Sequence, residues 1–112
     1  MNFQEKRCIP CEGGIPPLDA TTISKYLKEV PGWNAVENKK LVREFKLKNF
    51  VESMEFVDCV AEIAEAEGHH PDIHILYNLV RFELTTHAIG GLSENDFILA
   101  AKINSVQQPN PA

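Results

Sequence analysis

The sequence has few cysteines, no long apolar run and no excess of positive charge. Three cysteines are an odd number for a disulfide framework and fit a reducing compartment. No apolar run approaches the ~20 residues that a membrane span needs, and the N-terminal stretch MNFQEKRCIPCEGG lacks the apolar centre of a signal peptide. Eleven basic residues against 16 acidic ones give a net charge of −5, which offers no general attraction to phosphate backbones. We therefore expect a cytoplasmic protein that contacts neither membranes nor nucleic acid directly.

Motifs for nucleotides and for metals are weak or missing. Gly13-Gly14 and Gly90-Gly91 are isolated pairs and not phosphate-binding loops. The segment Cys8-Ile9-Pro10-Cys11 is a CxxC, but a structural zinc site usually needs two paired half-sites, and a redox pair needs a thioredoxin-like strand-to-helix context. We expect free thiols at Cys8 and Cys11, and a core position for Cys59 within a helix.

The remaining composition, with 44% hydrophobic and 24% charged residues over 112 positions, is that of one globular domain with a sizeable core. Proline and glycine indicate a loop-like arm over residues 1–18, and the polar residues 107–112 indicate a frayed tail. Residues 19–106 are predicted to form the single folded domain.

Periodicity within that domain predicts three helices and four strands. We expect helices over 21–30, 50–67 and from Ser93 onward, and strands over 33–36, 40–48, 73–77 and 79–85. Asn49, Gly68 and Ser93 provide cap signals. For the second helix the predicted apolar stripe consists of Phe50, Met54, Val57, Ala61 and Ala64, widened by Val60 and Ile63. The order α-β-β-α-β-β-α with short β-β links predicts an α+β fold with a mainly antiparallel sheet and helices on one face. The uncovered face and edges of such a sheet commonly bind a partner subunit, so we expect a homo-oligomer.

The histidines are the first candidates for chemistry, because three of the four lie within six residues. His69, His70 and His74 follow Gly68, and His87 follows the last predicted strand. Histidine exchanges protons near neutrality, so several in one cleft suit acid–base catalysis, whereas their ring nitrogens could also bind a metal.

Two further residues have both a functional and an ordinary interpretation. Glu65 lies four residues before His69, where a carboxylate could orient an imidazole or simply belong to a solvated helix face. Trp33, the only tryptophan, could wall a flat heteroaromatic pocket or pack in the core. The residues alone therefore indicate a small α+β domain with a histidine-lined pocket.

At these positions the sequence resembles the pterin-4a-carbinolamine dehydratases. The family signature is an acidic residue, three spacers, His-His-Pro, five spacers, an aromatic residue, nine spacers, a histidine and, after eight or more, an aspartate. Its members here are Glu65, His69-His70-Pro71, Tyr77, His87 and Asp96. Gly32-Trp33 and Gly91-Leu92-Ser93 also look family-like, and the likeness spans about residues 18 to 106. The preceding arm resembles an extension found in part of the family.

The resemblance implies a four-stranded antiparallel sheet with three helices, and dehydration of 4a-hydroxytetrahydrobiopterin to the quinonoid dihydropterin and water without a metal or organic cofactor. It implies that His69 and His87 form the acid–base pair and that His70 binds and polarises the pterin. Glu65 would orient the histidines, and Trp33 would line the pocket.

The same resemblance implies that Gly68, Thr85, Thr86 and Ala88 hold the pterin. Gly68 departs from animal members, which often carry a polar residue there. The implied partners are a pterin substrate and further copies of the chain, as a homodimer or homotetramer, with a functional link to an aromatic amino acid hydroxylase. The alternative is a non-enzymatic scaffold, because some members of the family stabilise transcription-factor dimers or assist assembly of a carboxylase.

Overall fold

Three helices and four strands alternate in the predicted order within residues 2–10 and 13–106, which the computed structural model describes. They are α1 (Ala20–Leu27), β1 (Asn34–Val36), β2 (Lys40–Lys46), α2 (Phe50–Glu67), β3 (Asp72–Leu76), β4 (Leu79–Leu84) and α3 (Glu94–Ser105). Short 3-10 turns lie at Phe3–Glu5 and His87–Ile89. Cys11 of the CxxC and the predicted polar tail, residues 107–112, lie outside the described residues.

The strands form one antiparallel sheet in the order β1-β2-β4-β3. In the central pair, Leu41 of β2 lies opposite Leu84 of β4, and Lys46 lies opposite Leu79. The end of β4, the start of β3 and the end of α2 therefore meet at one end of the sheet. The predicted α+β class, with a four-stranded antiparallel sheet and three helices, is confirmed.

The core lies between one face of the sheet and the helices. Phe45 of β2 and Phe82 of β4 both contact Phe56 of α2, with ring centroids 4.8 and 5.9 Å apart, in the tilted and edge-on arrangements that aromatic rings favour. Residues 2–10 of the predicted 1–18 segment add to this core, and they alone are called the arm below. Phe3 is 2% exposed and packs within 5.9 Å of the Phe97 ring in α3.

The opposite face of the sheet is charged. Lys40 and Arg81 each donate a hydrogen bond of 2.9 Å to Glu83, and these cations hold the pKa of the Glu83 carboxyl below its usual value, with the bond from Lys40 contributing most. His74 of β3 lies 3.5 Å from the same carboxylate. This histidine is thus on the outer surface of the sheet, apart from the other three.

Helix α2 begins and ends as the sequence predicts, but only part of its predicted apolar stripe is buried, namely Val57, Val60 and Ala64. Its inward residues are Ser53, Phe56, Val57, Val60 and Ala64. Phe50 and Ala61 are exposed, contrary to the predicted stripe, and Cys59 is exposed rather than in the core. The sheet selects the stripe centred on Phe56, and Cys59 lies on the far side of the helix.

Other element bounds differ from the prediction by one to three residues. The largest difference is at α1, which ends at Leu27 and not at residue 30. The backbone bonds from Glu29 to Tyr26 and from Val30 to Leu27 tighten the chain into a turn before Pro31. Val30 is fully buried nonetheless, so the apolar face continues through this turn.

Candidate active site

A cavity of about 270 Å³ lies where the end of α2, the end of β4 and the start of α3 meet. Its lining residues are Gly68, His69, His70, Thr85, Thr86, His87, Ala88 and Asn95. Three histidines that the sequence predicts to act together therefore share one cavity with all four of the residues predicted to hold the ligand. Glu65 and Trp33 are not among the lining residues.

The end of α2 supplies one wall of this cavity. Gly68 has φ +67°, a left-handed conformation that glycine adopts without a steric penalty, and its N–H donates to carbonyls of the last helical turn. The chain leaves the helix axis at this residue, and His69 and His70 follow directly. The helix terminus predicted from sequence is therefore also the feature that directs two histidines into the cavity wall.

The segment after β4 supplies the other wall. Thr86 pairs with Gly91 in an isolated β-bridge, which closes a short loop carrying His87 in its 3-10 turn. Both threonine hydroxyls are already bonded within the protein. Thr85 donates to the Lys39 carbonyl over 2.7 Å, and Thr86 donates to Asp96 over 2.8 Å.

Asp96 is the buried carboxylate behind this cavity. One of its oxygens lies 2.6 Å from His69 Nε2, and the other accepts from the Thr86 hydroxyl and, over 2.9 Å, from the Ser93 N–H. Asp96 is completely inaccessible to solvent. A carboxylate bonded to Nε2 keeps a proton on that nitrogen in the neutral ring, which leaves Nδ1 of His69 free to accept one.

Glu65 is placed beside His70 and not beside His69. Its carboxylate lies 3.7 Å from His70 Nε2, and the two side chains are 81% and 59% exposed. The helix ends before His69, so the four-residue spacing between Glu65 and His69 does not bring these two side chains together. An exposed ion pair of this kind contributes little to the stability of the fold.

Trp33 lies in the core, which is the ordinary one of its two interpretations. It is 4% exposed, and its indole N–H donates to Asn104 Oδ1 over 2.8 Å. The structure therefore does not bring Trp33 to the cavity as a stacking wall.

Two residues at the site, Asp96 and Asn95, have roles that sequence reasoning did not assign. Asp96 appeared in the family signature, and it also accepts from the N–H of the N-cap residue Ser93, but its bond to His69 joins residues 27 positions apart. Asn95 lines the cavity and had no signal beyond its place beside Asp96. The signature aspartate that follows the histidine pair is the one clue in the sequence that could have suggested the contact between Asp96 and His69.

Residues 2–10 and 13–106 present neither a cluster of metal ligands nor a helix long and apolar enough to span a membrane. There, the His, Cys, Asp and Glu side chains do not come together in a group of three or more that could hold a metal ion. The helices of this region include none with the length and apolarity to cross a membrane.

Comparison with known proteins places this geometry in a family. The family model described as pterin 4 alpha carbinolamine dehydratase matches residues 16–106. The chain belongs to the pterin-4-alpha-carbinolamine dehydratase family. A Nitrosospira multiformis protein provisionally named as such a dehydratase is 50% identical over 103 residues, covering 92% of this chain and 90% of its own. A Methylococcus capsulatus protein with the same provisional name is 50% identical over 102 residues, covering 90% of each chain.

Solved structures of pterin dehydratases and their relatives share the fold. A Brucella melitensis protein described as a transcriptional coactivator/pterin dehydratase superposes with a TM-score of 0.75 at 32% identity, covering 80% of this chain and 96% of its own. A pterin dehydratase-like protein identified as a RuBisCO assembly factor in the alpha-carboxysome gives a TM-score of 0.56 at 21% identity, covering 66% and 87%. The second likeness concerns the fold alone.

Proposed function

We propose that this chain dehydrates 4a-hydroxytetrahydrobiopterin, or a closely related pterin, to the quinonoid dihydropterin and water. The observation that carries the proposal is one cavity lined by His69, His70 and His87, with a buried carboxylate bonded to the first of them. Membership of the dehydratase family supports the same reaction. The product would be the pterin species that a reductase returns to the tetrahydro cofactor of an aromatic amino acid hydroxylase.

The reaction requires one proton to be added and one to be removed. The C4a–O bond breaks as the N5 lone pair forms a double bond to C4a, and a proton delivered to the departing oxygen releases water. A ring N–H then gives up a proton, so atoms and charge balance without a change of oxidation state. Two imidazoles on opposite walls of one cavity suit this pair of transfers.

In this proposal His69 and His87 exchange the two protons, and His70 binds and polarises the pterin. Asp96 orients His69 through Nε2 and stabilises the positive charge that the ring carries after accepting a proton at Nδ1. Gly68 and Ala88 border the ligand at the two histidine segments. Glu65, 3.7 Å from His70, would influence that exposed ring only weakly.

Stopped-flow absorbance of 4a-hydroxytetrahydrobiopterin breakdown tests this function. We expect catalytic amounts of the protein to accelerate water loss, and His87→Ala to lower kcat by about 10² to 10⁴, the usual contribution of a positioned acid or base. His74→Ala is the matched control, since His74 lies on the outer face of the sheet and its removal should leave the rate within about twofold. A folded wild type that leaves the spontaneous rate unchanged would refute the proposal for this substrate.

A protein-binding role is the second candidate, because the Brucella melitensis relative is described as both a coactivator and a dehydratase. The two functions can coexist on one chain. The double variant His69→Ala/His87→Ala separates them, since dehydration should be lost while any scaffolding interaction of the folded protein is retained.

A further inference from the structure

Two consecutive residues of the arm join α2 to α3. The Cys8 N–H donates over 2.8 Å to Oε1 of Glu67, the last residue of α2. Ile9 binds the Asn95 side chain at two points, because its N–H donates to Oδ1 over 2.9 Å and its carbonyl accepts from Nδ2 over 2.6 Å. The arm thus spans the seam between the end of one helix and the first turn of the other.

The same seam is crossed by the bond between His69 and Asp96. His69 lies two residues after Glu67, and Asp96 lies one residue after Asn95. A hydrogen bond of 2.6 Å weakens once its atoms separate beyond about 3.2 Å, so a small movement of α2 against α3 is enough to lose it. Misplacement of a catalytic group by about 1 Å can lower a rate by about 10².

Both anchor side chains are largely shielded from solvent. The Glu67 side chain is 7% exposed and Asn95 is 9% exposed. Lys102 and Arg7 lie 3.7 Å from the Glu67 carboxylate, and the bond from the Cys8 N–H is the largest cause that keeps the pKa of Glu67 below its usual value. These contacts therefore differ from incidental surface pairs.

The Cys8 thiol itself is not a reactive group here. Burial, with the neighbouring Glu67 carboxylate as the next cause, raises the pKa of Cys8 to about 12, so the thiol stays protonated near neutrality. Its sulfur lies 3.6 Å from the Asn95 carbonyl oxygen. Cys8 contributes packing and its backbone N–H at this point.

We infer that Glu67 and Asn95 are positioning residues, which bind the arm at Cys8 and Ile9 and so hold α2 and α3 at the separation that the His69–Asp96 bond requires. The inference rests on the proposed function as far as turnover is concerned. It gives residues 2–10, which precede the matched family region, a direct part in maintaining the site. Glu67 is not among the residues that line the cavity, and Asn95, which does line it, has both polar side-chain atoms bonded to Ile9, so both anchors act through His69.

The test compares two asparagines whose Oδ1 atoms each accept from a backbone N–H. Asn95→Ala removes the arm anchor, and Asn49→Ala removes the N-cap at the far end of α2, whose Oδ1 accepts from the Glu52 N–H over 3.0 Å. We expect Asn95→Ala to lower kcat at least about tenfold with KM changed less than about twofold, because the transition state and not ground-state binding depends on the orientation of His69. Asn49→Ala should leave kcat within about twofold, although it lowers the melting temperature.

A second pair of variants covers the other anchor, so the test does not depend on one substitution folding. Glu67→Ala should lower kcat as Asn95→Ala does. Glu67→Gln should restore it to within about threefold, because its amide oxygen still accepts from the Cys8 N–H. Wild-type kcat in both folded Ala variants, with melting temperature alone reduced, would overturn the inference and leave the arm a merely structural element.

A spectroscopic readout keeps this inference separable from the proposed function. The ring N–H of His69, bonded to a buried carboxylate, should give a far-downfield, slowly exchanging proton resonance in the NMR spectrum of the wild type and of Asn49→Ala. The resonance should broaden or disappear in Asn95→Ala and Glu67→Ala. If the wild type has no dehydratase activity but the resonance is lost in Asn95→Ala and Glu67→Ala, the proposed function is refuted and the positioning role is supported. If the resonance is retained in both Ala variants, the positioning role alone is refuted.

Discussion

Asp96 combines two tasks in one side chain, because it caps α3 at Ser93 and binds His69. Its two oxygens divide these tasks between them. The oxygen that accepts from Ser93 and Thr86 is structural, and the oxygen facing His69 sets the ring tautomer. The two tasks can therefore be separated by a substitution that changes only the second oxygen.

Asp96→Asn is that substitution. Its remaining oxygen can still accept from Ser93 and Thr86, while its NH₂ group faces His69 Nε2 and forces the ring to carry its proton on Nδ1. We expect kcat to fall by about 10² to 10⁴ with a stability loss of about 1 kcal/mol. Steady-state kinetics and urea unfolding measure the two quantities.

Ser93→Ala is the complementary control for Asp96→Asn. It removes the hydroxyl that hydrogen-bonds Thr86 Oγ1 over 2.7 Å and leaves the carboxylate, so stability should fall by about 1 kcal/mol while kcat changes only a few-fold. Equal losses of kcat in the two variants would contradict a separate tautomer role for Asp96.

Glu67 makes the stability of the fold depend on pH in a defined direction. Its pKa is lower in the folded state than the value of about 4.3 for an unfolded chain, so folding favours the ionised carboxyl. The stabilisation is complete above the unfolded pKa and is lost as the pH falls through the folded one. The free energy of unfolding of the wild type should therefore exceed that of Glu67→Gln at pH 7, and the difference should shrink as the pH is lowered from 5 to 3. A constant difference over that range would contradict the assignment.

At the scale of elements, Gly68 joins the end of α2 to the histidine pair. Its φ of +67° is unfavourable for other residues, yet no atom lies within 4 Å of the place where a Cβ would be. Gly68→Ala should thus cost about 1 to 2 kcal/mol from backbone conformation alone. Gly68→Asn should cost less, because asparagine tolerates the left-handed region. Chemical denaturation gives the order of the two variants, and equal or reversed stabilities would contradict this account.

Local signals explain which elements could be predicted from sequence. The bounds of α2 were predictable because both caps are encoded by single residues, Asn49 and Gly68. Its buried face was not, because two apolar stripes overlap on the helix and the sheet decides between them in favour of Phe56 over Phe50. Strand bounds differed by one residue at Trp33 and at Thr85, which lie just outside β1 and β4, and by two residues at the end of β2, which stops at Lys46.

In the site, too, residues in contiguous segments could be predicted from the sequence, whereas contacts between distant segments could not. Cavity residues carried by the His-His-Pro and His87 segments were predictable because each segment is contiguous. Trp33 was assigned to the cavity by resemblance, but its side chain is buried in the core and its indole N–H is bonded to Asn104. The partner of His69 depends on how α3 docks, and no spacing along the chain encodes that contact.

At the scale of the whole molecule, four of the seven exposed large apolar side chains of the described residues lie at the end of the sheet opposite the cavity. Phe50 and Val51 begin α2, and Leu76 and Tyr77 lie at the turn between β3 and β4. The backbone bond from Leu47 to Asn78 brings these two segments together. A cluster of four exposed apolar residues beside an edge strand is typical of an interface.

We expect the chain to form a homo-oligomer through this end, in line with the sequence-based expectation of a dimer or tetramer. Sedimentation velocity at micromolar concentration should show the oligomer. The double variant Val51→Lys/Leu76→Lys should sediment as a monomer, because each lysine places a charge in the contact. The cavity is at the opposite end, so the resonance expected for His69 should remain in the variant. A wild type that sediments as a monomer would contradict the expectation.

The bond between His69 and Asp96 also has a consequence for synthesis of the protein. The histidine precedes the carboxylate by 27 positions, so it leaves the ribosome first and has no partner until α3 has been made. Ile9 of the arm likewise has no partner on α3 until Asn95 has been synthesised, which happens after the residues of α2. A nascent chain that has formed the sheet and two helices would still be inert, and catalytic competence would appear only when the last helix docks.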